Sequence, residues 1–140
     1  RICDYSNTRR PSIMASELRV NTLKDASGNN SVATSTVFSG SAKSWLNFNG
    51  TGTIAILDSF NIGSLSDAGT GLYNSVFVSN MNNNDFSASC AAGENDDSGG
   101  NRSLGLRAKA TTGCNCRGFR DGVSADDVAD MNVTIHGDLA

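Results

Sequence analysis

Short segments of alternating apolar and polar residues, separated by turns rich in glycine and asparagine, recur along most of this 140-residue chain. A period of two places successive side chains on opposite faces of an extended strand, and glycine tolerates the positive φ angles that tight turns need. About seven or eight such segments follow one another at a spacing of roughly ten residues, which is typical of β-sandwiches. The expected fold is therefore an all-β, antiparallel β-sandwich.

The clearest hairpin is predicted around residues 49–52, a turn of Asn-Gly-Thr-Gly type. On the strand before it, Leu46 and Phe48 face one side and Trp45 faces the other. Residues 53–58 resume the alternation after the turn. Further strands are expected at 64–67 and 72–78, as a second hairpin, and at 86–91, 103–109, 114–119 and 132–136. A single helical turn is expected at 124–128, where Ser124 gives an N-cap signal.

The chain is expected to divide into an N-terminal arm or attachment segment, residues 1–36, and a β-sandwich domain, residues 37–140. Within the arm, Leu18, Val20 and Leu23 are apolar side chains on an extended segment. Such a segment cannot bury these side chains by itself, so they are candidate contacts with a neighbouring subunit.

The net charge of −3 gives no general attraction to phosphate backbones, so nucleic acid is not an expected partner. No apolar stretch reaches the roughly 18 residues that a membrane span needs, and membrane insertion is not expected either. Nothing marks the chain for secretion. The cysteines are therefore expected to be reduced thiols: Cys3, Cys90, Cys114 and Cys116.

Metal and cofactor sites are not expected. Cys114 and Cys116 are too close in sequence for the usual zinc spacing, and the single histidine, His136, lies far along the chain. Three acidic side chains of the polar loop could offer oxygen ligands to Ca²⁺, but their spacing matches no calcium-loop pattern and a plain acidic loop is favoured. They remain candidate interface or receptor contacts: Glu94, Asp96 and Asp97.

Trp45 is the residue with the most direct binding chemistry. An aromatic ring can stack on the apolar face of a sugar, which would suit a receptor-binding surface. Packing of Trp45 in the core or at a subunit interface is the commoner alternative. Catalysis is not expected, because the chain has no nucleophile elbow or phosphate-binding loop, and His136 is interpreted as an exposed strand residue.

The string S-W-L-N-F-N-G-T-G-T-I-A-I-L-D-S-F-N, residues 44–61, resembles a segment of tail-fibre and tail-associated proteins of tailed bacteriophages, especially those of aquatic bacteria. Their pattern reads approximately W-V-N-F-N-G-T-G-T-V-A-I-R-x-S-F-N-V. The similarity extends to residues 64–73 and, upstream, to L-R-V-N-T-L-K-D-A-S-G at 18–28, so the similar segments contain 39 of the 140 residues. The chain departs from the pattern at Leu57, where the family often has arginine.

The resemblance implies a β-rich virion protein, commonly trimeric, that is attached by its N-terminal part and presents its C-terminal part outward; it does not imply an active site. The expected partners are identical copies, other virion proteins and a host glycan or receptor, and the expected location is the virion, assembled in the bacterial host cytoplasm. Two alternatives stay open: a capsid decoration (cement) protein that staples the shell, and a free carbohydrate-binding module.

Overall fold

The computed structural model describes residues 18–93 and 100–140, which form two compact units with their boundary between Ser35 and Thr36. One short helix, α1 (Thr34–Gly40), spans this boundary. The other regular elements of the described residues are β-strands, and every strand pair is antiparallel. The prediction of an all-β, antiparallel sandwich is confirmed.

The first unit contains a small hairpin of β1 (Thr22–Lys24) and β2 (Ser31–Ala33). The Asp25 carboxylate organises its turn by accepting hydrogen bonds from the Asn29 amide at 3.0 Å and from Asn30 Nδ2 at 2.8 Å. Partial desolvation opposes ionisation, but the hydrogen bonds prevail and hold the pKa of Asp25 below its usual value.

The second unit contains eight strands of six residues or more among the described residues, which agrees with the predicted number. They are β3 (Ser44–Asn49), β4 (Ala55–Phe60), β5 (Ile62–Gly69), β6 (Leu72–Phe77), β7 (Ser87–Gly93), β8 (Arg102–Ala110), β9 (Gly113–Arg120) and β11 (Asp130–His136), with a two-residue strand β10 (Ser124–Ala125) before the last. All six predicted strands or hairpin arms after the first hairpin correspond to one of these elements.

These strands form two sheets. One has the order β4-β3-β11-β7; in the other, β5, β6, β9 and β8 follow one another, and β10 lies beside β6 on the same edge of β9. Only Asn61, at φ 60°, separates β4 from β5, so the chain passes from the edge of one sheet to the edge of the other within one residue. Asparagine tolerates this left-handed conformation better than most residues.

The core lies between the sheets and confirms the predicted faces of the first hairpin. Leu46 and Phe48 are buried, whereas Trp45 on the opposite face is half-buried and lies outside the core. Phe48 packs edge-on against Tyr73 with ring centroids 5.1 Å apart. Most of the other buried apolar side chains come from β6, β9 and β11: Phe77, Cys114, Cys116, Met131, Val133 and Ile135.

One local prediction was wrong, and one short helix was not predicted. Helix α1 was not expected, and the helical turn expected at 124–128 is replaced by β10 and an irregular segment. The carboxylates that would favour a helix start there are used in tertiary contacts instead. Asp126 pairs with Arg102 and Arg120, and Asp127 accepts a hydrogen bond from the Tyr73 hydroxyl. These long-range contacts outweigh the local N-cap preference.

Candidate functional site

The outer face of the four-stranded sheet carries an aromatic pair. The strand register places Phe60 on β4 directly opposite Trp45 on β3, and Thr134 on β11 opposite Trp45 on its other side. Cross-strand partners lie on the same face of a sheet, so the two rings are neighbours on the surface that faces away from the core. Phe60 is 51% exposed and Trp45 is half-buried.

A fixed set of polar side chains lies next to this pair. Asn47 Nδ2 donates hydrogen bonds to Asp130 Oδ1 and to Asn132 Oδ1, both at 2.8 Å, and Asn132 Nδ2 donates to Asp130 Oδ1 at 3.0 Å. We call Asn47, Asp130 and Asn132 the polar ladder. Because each amide nitrogen already donates within the ladder, the side chains are held in defined orientations on the rigid sheet.

Two acceptor oxygens of the polar ladder are not used within it. Within the described residues, Asn47 Oδ1 and Asp130 Oδ2 accept no hydrogen bond. Asp58 is the cross-strand partner of Asn47. Within the described residues, the Asp58 carboxylate accepts one hydrogen bond, from the Ser59 amide to Oδ1. An aromatic pair bordered by oriented acceptors suits a ligand that has an apolar face and donates hydroxyl groups, which is the chemistry of a sugar ring.

The structure places the sequence-predicted contact residues in different units. Leu18, Val20 and Leu23 belong to the first unit, where they are 79%, 37% and 42% exposed, and Leu23 is the cross-strand partner of Val32. Trp45 belongs to the second unit. Three further candidates lie outside the described residues: Glu94, Asp96 and Asp97.

Sequence reasoning missed the partners of Trp45. Phe60 could have been predicted as a partner, since the hairpin expected around residues 49–52 pairs the strand of Trp45 with the strand of Phe60. The polar ladder could not have been predicted, because it depends on the pairing of β11 with β3. This pairing brings together Asn47 and Asn132, which are far apart in the chain.

His136 is an exposed residue at the end of β11, as predicted. It borders an open cleft of about 340 Å³ that also includes Asp85, Ser87 and Asp138. Within residues 18–93 and 100–140, no three histidine, cysteine or carboxylate side chains are arranged to hold a metal ion. The same residues contain no helix that is long and apolar enough to cross a membrane.

Comparison with known protein families, with curated proteins and with solved structures finds no match to this chain.

Proposed function

We propose that this chain is a non-enzymatic structural component of a tailed-bacteriophage virion, of the tail-fibre or spike type, and that it works as a homo-oligomer. The resemblance of residues 44–61 to tail-fibre proteins supports this role. These residues form β3, the turn, β4 and the crossover at Asn61, so the similar segment corresponds to one whole hairpin of the four-stranded sheet.

The observation that carries the oligomer proposal is an exposed apolar edge around the crossover. Leu57 and Phe60 on β4 and Val76 and Val78 at the end of β6 are between 47% and 71% exposed. We call these four residues the apolar edge. All four lie on or directly after strands that lead into or run beside the crossover at Asn61, and exposed apolar side chains on neighbouring strands favour contact with another protein surface. Leu57 stands where the tail-fibre segments that residues 44–61 resemble often have arginine, so this chain has an apolar group in place of a charge.

Light scattering of the purified chain tests the oligomer. We expect a mass close to three times the 14.6 kDa of one chain. Leu57→Arg, which restores the charge common in the family, should shift the mass toward that of one chain. Val123→Arg is the matched control, because Val123 is 82% exposed and lies outside the apolar edge. A wild-type chain that stays monomeric at all concentrations would contradict the proposal.

Location within the particle separates the two virion alternatives. Antibody labelling of purified particles, viewed by electron microscopy, is expected to mark the tail. Labelling over the shell would identify a capsid decoration protein instead. Purified particles that lack the chain would exclude both and leave the free carbohydrate-binding module.

The second candidate function, glycan binding in host attachment, is favoured by the aromatic pair and the polar ladder. Two carboxylates, Asp58 and Asp130, make this face acidic, so a neutral or amino-sugar glycan suits it better than an anionic one. Trp45→Ala is expected to abolish binding to host cells and to a neutral glycan array. Phe119→Ala, on β9 of the other sheet, is the control that should bind normally. Equal binding by both variants would exclude this face.

A further inference from the structure

Three cysteine thiols lie together between the two sheets. Cys90 is on β7 of the four-stranded sheet, and Cys114 and Cys116 are on the inward face of β9 in the other sheet. All three are free thiols. Cys90 packs against the buried cluster that contains Cys114 and Cys116, and the Cys116 thiol interacts with both of the other thiols, so it is the middle member of a row of sulfurs between the sheets.

Two disulfides are possible between neighbours in the row, Cys114–Cys116 and Cys90–Cys116, and strand geometry favours the second. Cys114 and Cys116 are two residues apart on one extended strand, where the rise of about 3.3 Å per residue holds their Cα atoms roughly 6.6 Å apart. This is near the upper limit for a disulfide, and their Cβ atoms run parallel and do not converge. Cys90 and Cys116 lie on the inward faces of opposite sheets, so their Cβ atoms point toward one another across the core, as the Cβ atoms of a disulfide do.

We propose that Cys90 and Cys116 form a reversible disulfide that joins the two sheets when the protein meets a low-molecular-weight disulfide oxidant. Cys90 is half-buried and is therefore the thiol of the pair that an oxidant reaches first, because Cys116 is only 2% exposed. Interaction with the Cys116 thiol lowers the pKa of Cys90, and this effect exceeds the opposing effect of burial. The lower pKa favours the reactive thiolate form of Cys90.

The exchange proceeds in two steps. The Cys90 thiolate attacks one sulfur of glutathione disulfide, forming a mixed disulfide and releasing one glutathione thiolate. Cys116 gives its proton to that thiolate, and its sulfur attacks the Cys90 sulfur and releases the second glutathione. Two cysteine thiols are oxidised to one disulfide, and one glutathione disulfide is reduced to two thiols.

The test uses the full chain with Cys3→Ser, which leaves only the three clustered thiols. The folded protein is incubated with glutathione disulfide, the remaining thiols are alkylated, and intact mass and peptide mapping identify the linked residues. We expect one alkylated cysteine, Cys114, and one cross-linked peptide pair containing Cys90 and Cys116. The thermal midpoint is expected to rise by several degrees, because the cross-link restricts the unfolded chain, and dithiothreitol should reverse both changes.

Matched variants make the assignment specific. Cys114→Ser should still form the cross-link, whereas Cys116→Ser should stop at a glutathione adduct on Cys90. If Cys116→Ser fails to fold by circular dichroism, Cys90→Ser serves in its place and should leave no cross-link. A Cys114–Cys116 linkage, or a folded wild-type cluster that retains all three thiols or only a glutathione adduct, would overturn the proposal. The result is independent of any virion role.

Discussion

The Tyr73 hydroxyl lies 2.8 Å from Asp127 Oδ1, and this contact joins β6 to the irregular segment before β11. Asp127 Oδ1 also accepts a hydrogen bond from the Gly71 amide at 2.6 Å. The carbonyl oxygen of Gly50 lies 2.8 Å from the same hydroxyl. Tyr73 on β6 therefore contacts both the turn that follows β3 and the segment that precedes β11.

Tyr73→Phe is expected to destabilise the protein by about 1–3 kcal/mol, because it removes the one hydroxyl proton that lies between the Gly50 carbonyl oxygen and the Asp127 carboxylate, and Asp127 keeps only the Gly71 amide as a donor. The aromatic contact with Phe48 is retained, so the loss reports on the hydroxyl alone. Chemical denaturation measures the free energy of unfolding. Equal stability of wild type and Tyr73→Phe would show that these acceptors gain nothing from the hydroxyl.

The same tyrosine predicts a loss of stability at alkaline pH. Burial, together with the hydrogen bond to Asp127, raises the pKa of Tyr73 far above its usual value of 10.0. Above pH 10 the unfolded chain releases this proton while the folded chain retains it, so the unfolded state gains relative stability as the pH rises. Below pH 10 the tyrosine contributes no pH dependence. Unfolding free energies of wild type and Tyr73→Phe, measured from pH 8 to 11, should therefore converge above pH 10.

Asn61 is expected to be sensitive to substitution for two separable reasons. Its side chain donates to the carbonyl oxygens of Lys43 and Ser79, both at 3.0 Å, and accepts from the Ser79 amide at 2.6 Å. Asn61→Gly removes these hydrogen bonds but accepts the positive φ, and should cost about 2 kcal/mol. Asn61→Ala adds the strain of a left-handed residue, about 1 kcal/mol more. Denaturation midpoints that do not separate the two variants would contradict the strain contribution.

Gly113 is expected to tolerate no side chain. A Cβ atom at this position would lie 2.1 Å from the carbonyl oxygen of Ser75, which belongs to the neighbouring strand β6. The backbone must move to relieve this overlap, so Gly113→Ala should cost more than about 2 kcal/mol. Gly40→Ala is the control, because no heavy atom lies within 4 Å of the added methyl group. A Gly113→Ala variant as stable as the control would show that β6 and β9 separate easily.

Local sequence patterns were sufficient for the strands and the two hairpins, because alternation and turn residues act over a few positions. They also gave the inward direction of Leu46 and Phe48. They could not give the pairing of β3 with β11 or the meeting of Cys90 with Cys116, since both depend on how distant strands are arranged. The wrong helical turn at 124–128 has the same origin: Tyr73 and Arg102 engage the carboxylates from other strands.

The register of β4 against β3 shifts at Leu57, because Asp58 pairs with Asn47 and Ile56 pairs with Phe48, which leaves one extra residue in the edge strand. Such a bulge bends the edge and breaks the regular series of backbone donors and acceptors. The bulge therefore disfavours the addition of an incoming strand past Leu57 by regular backbone pairing. The irregularity therefore acts against edge-to-edge growth on that side of the sheet, in the way that many natural β proteins protect an edge strand.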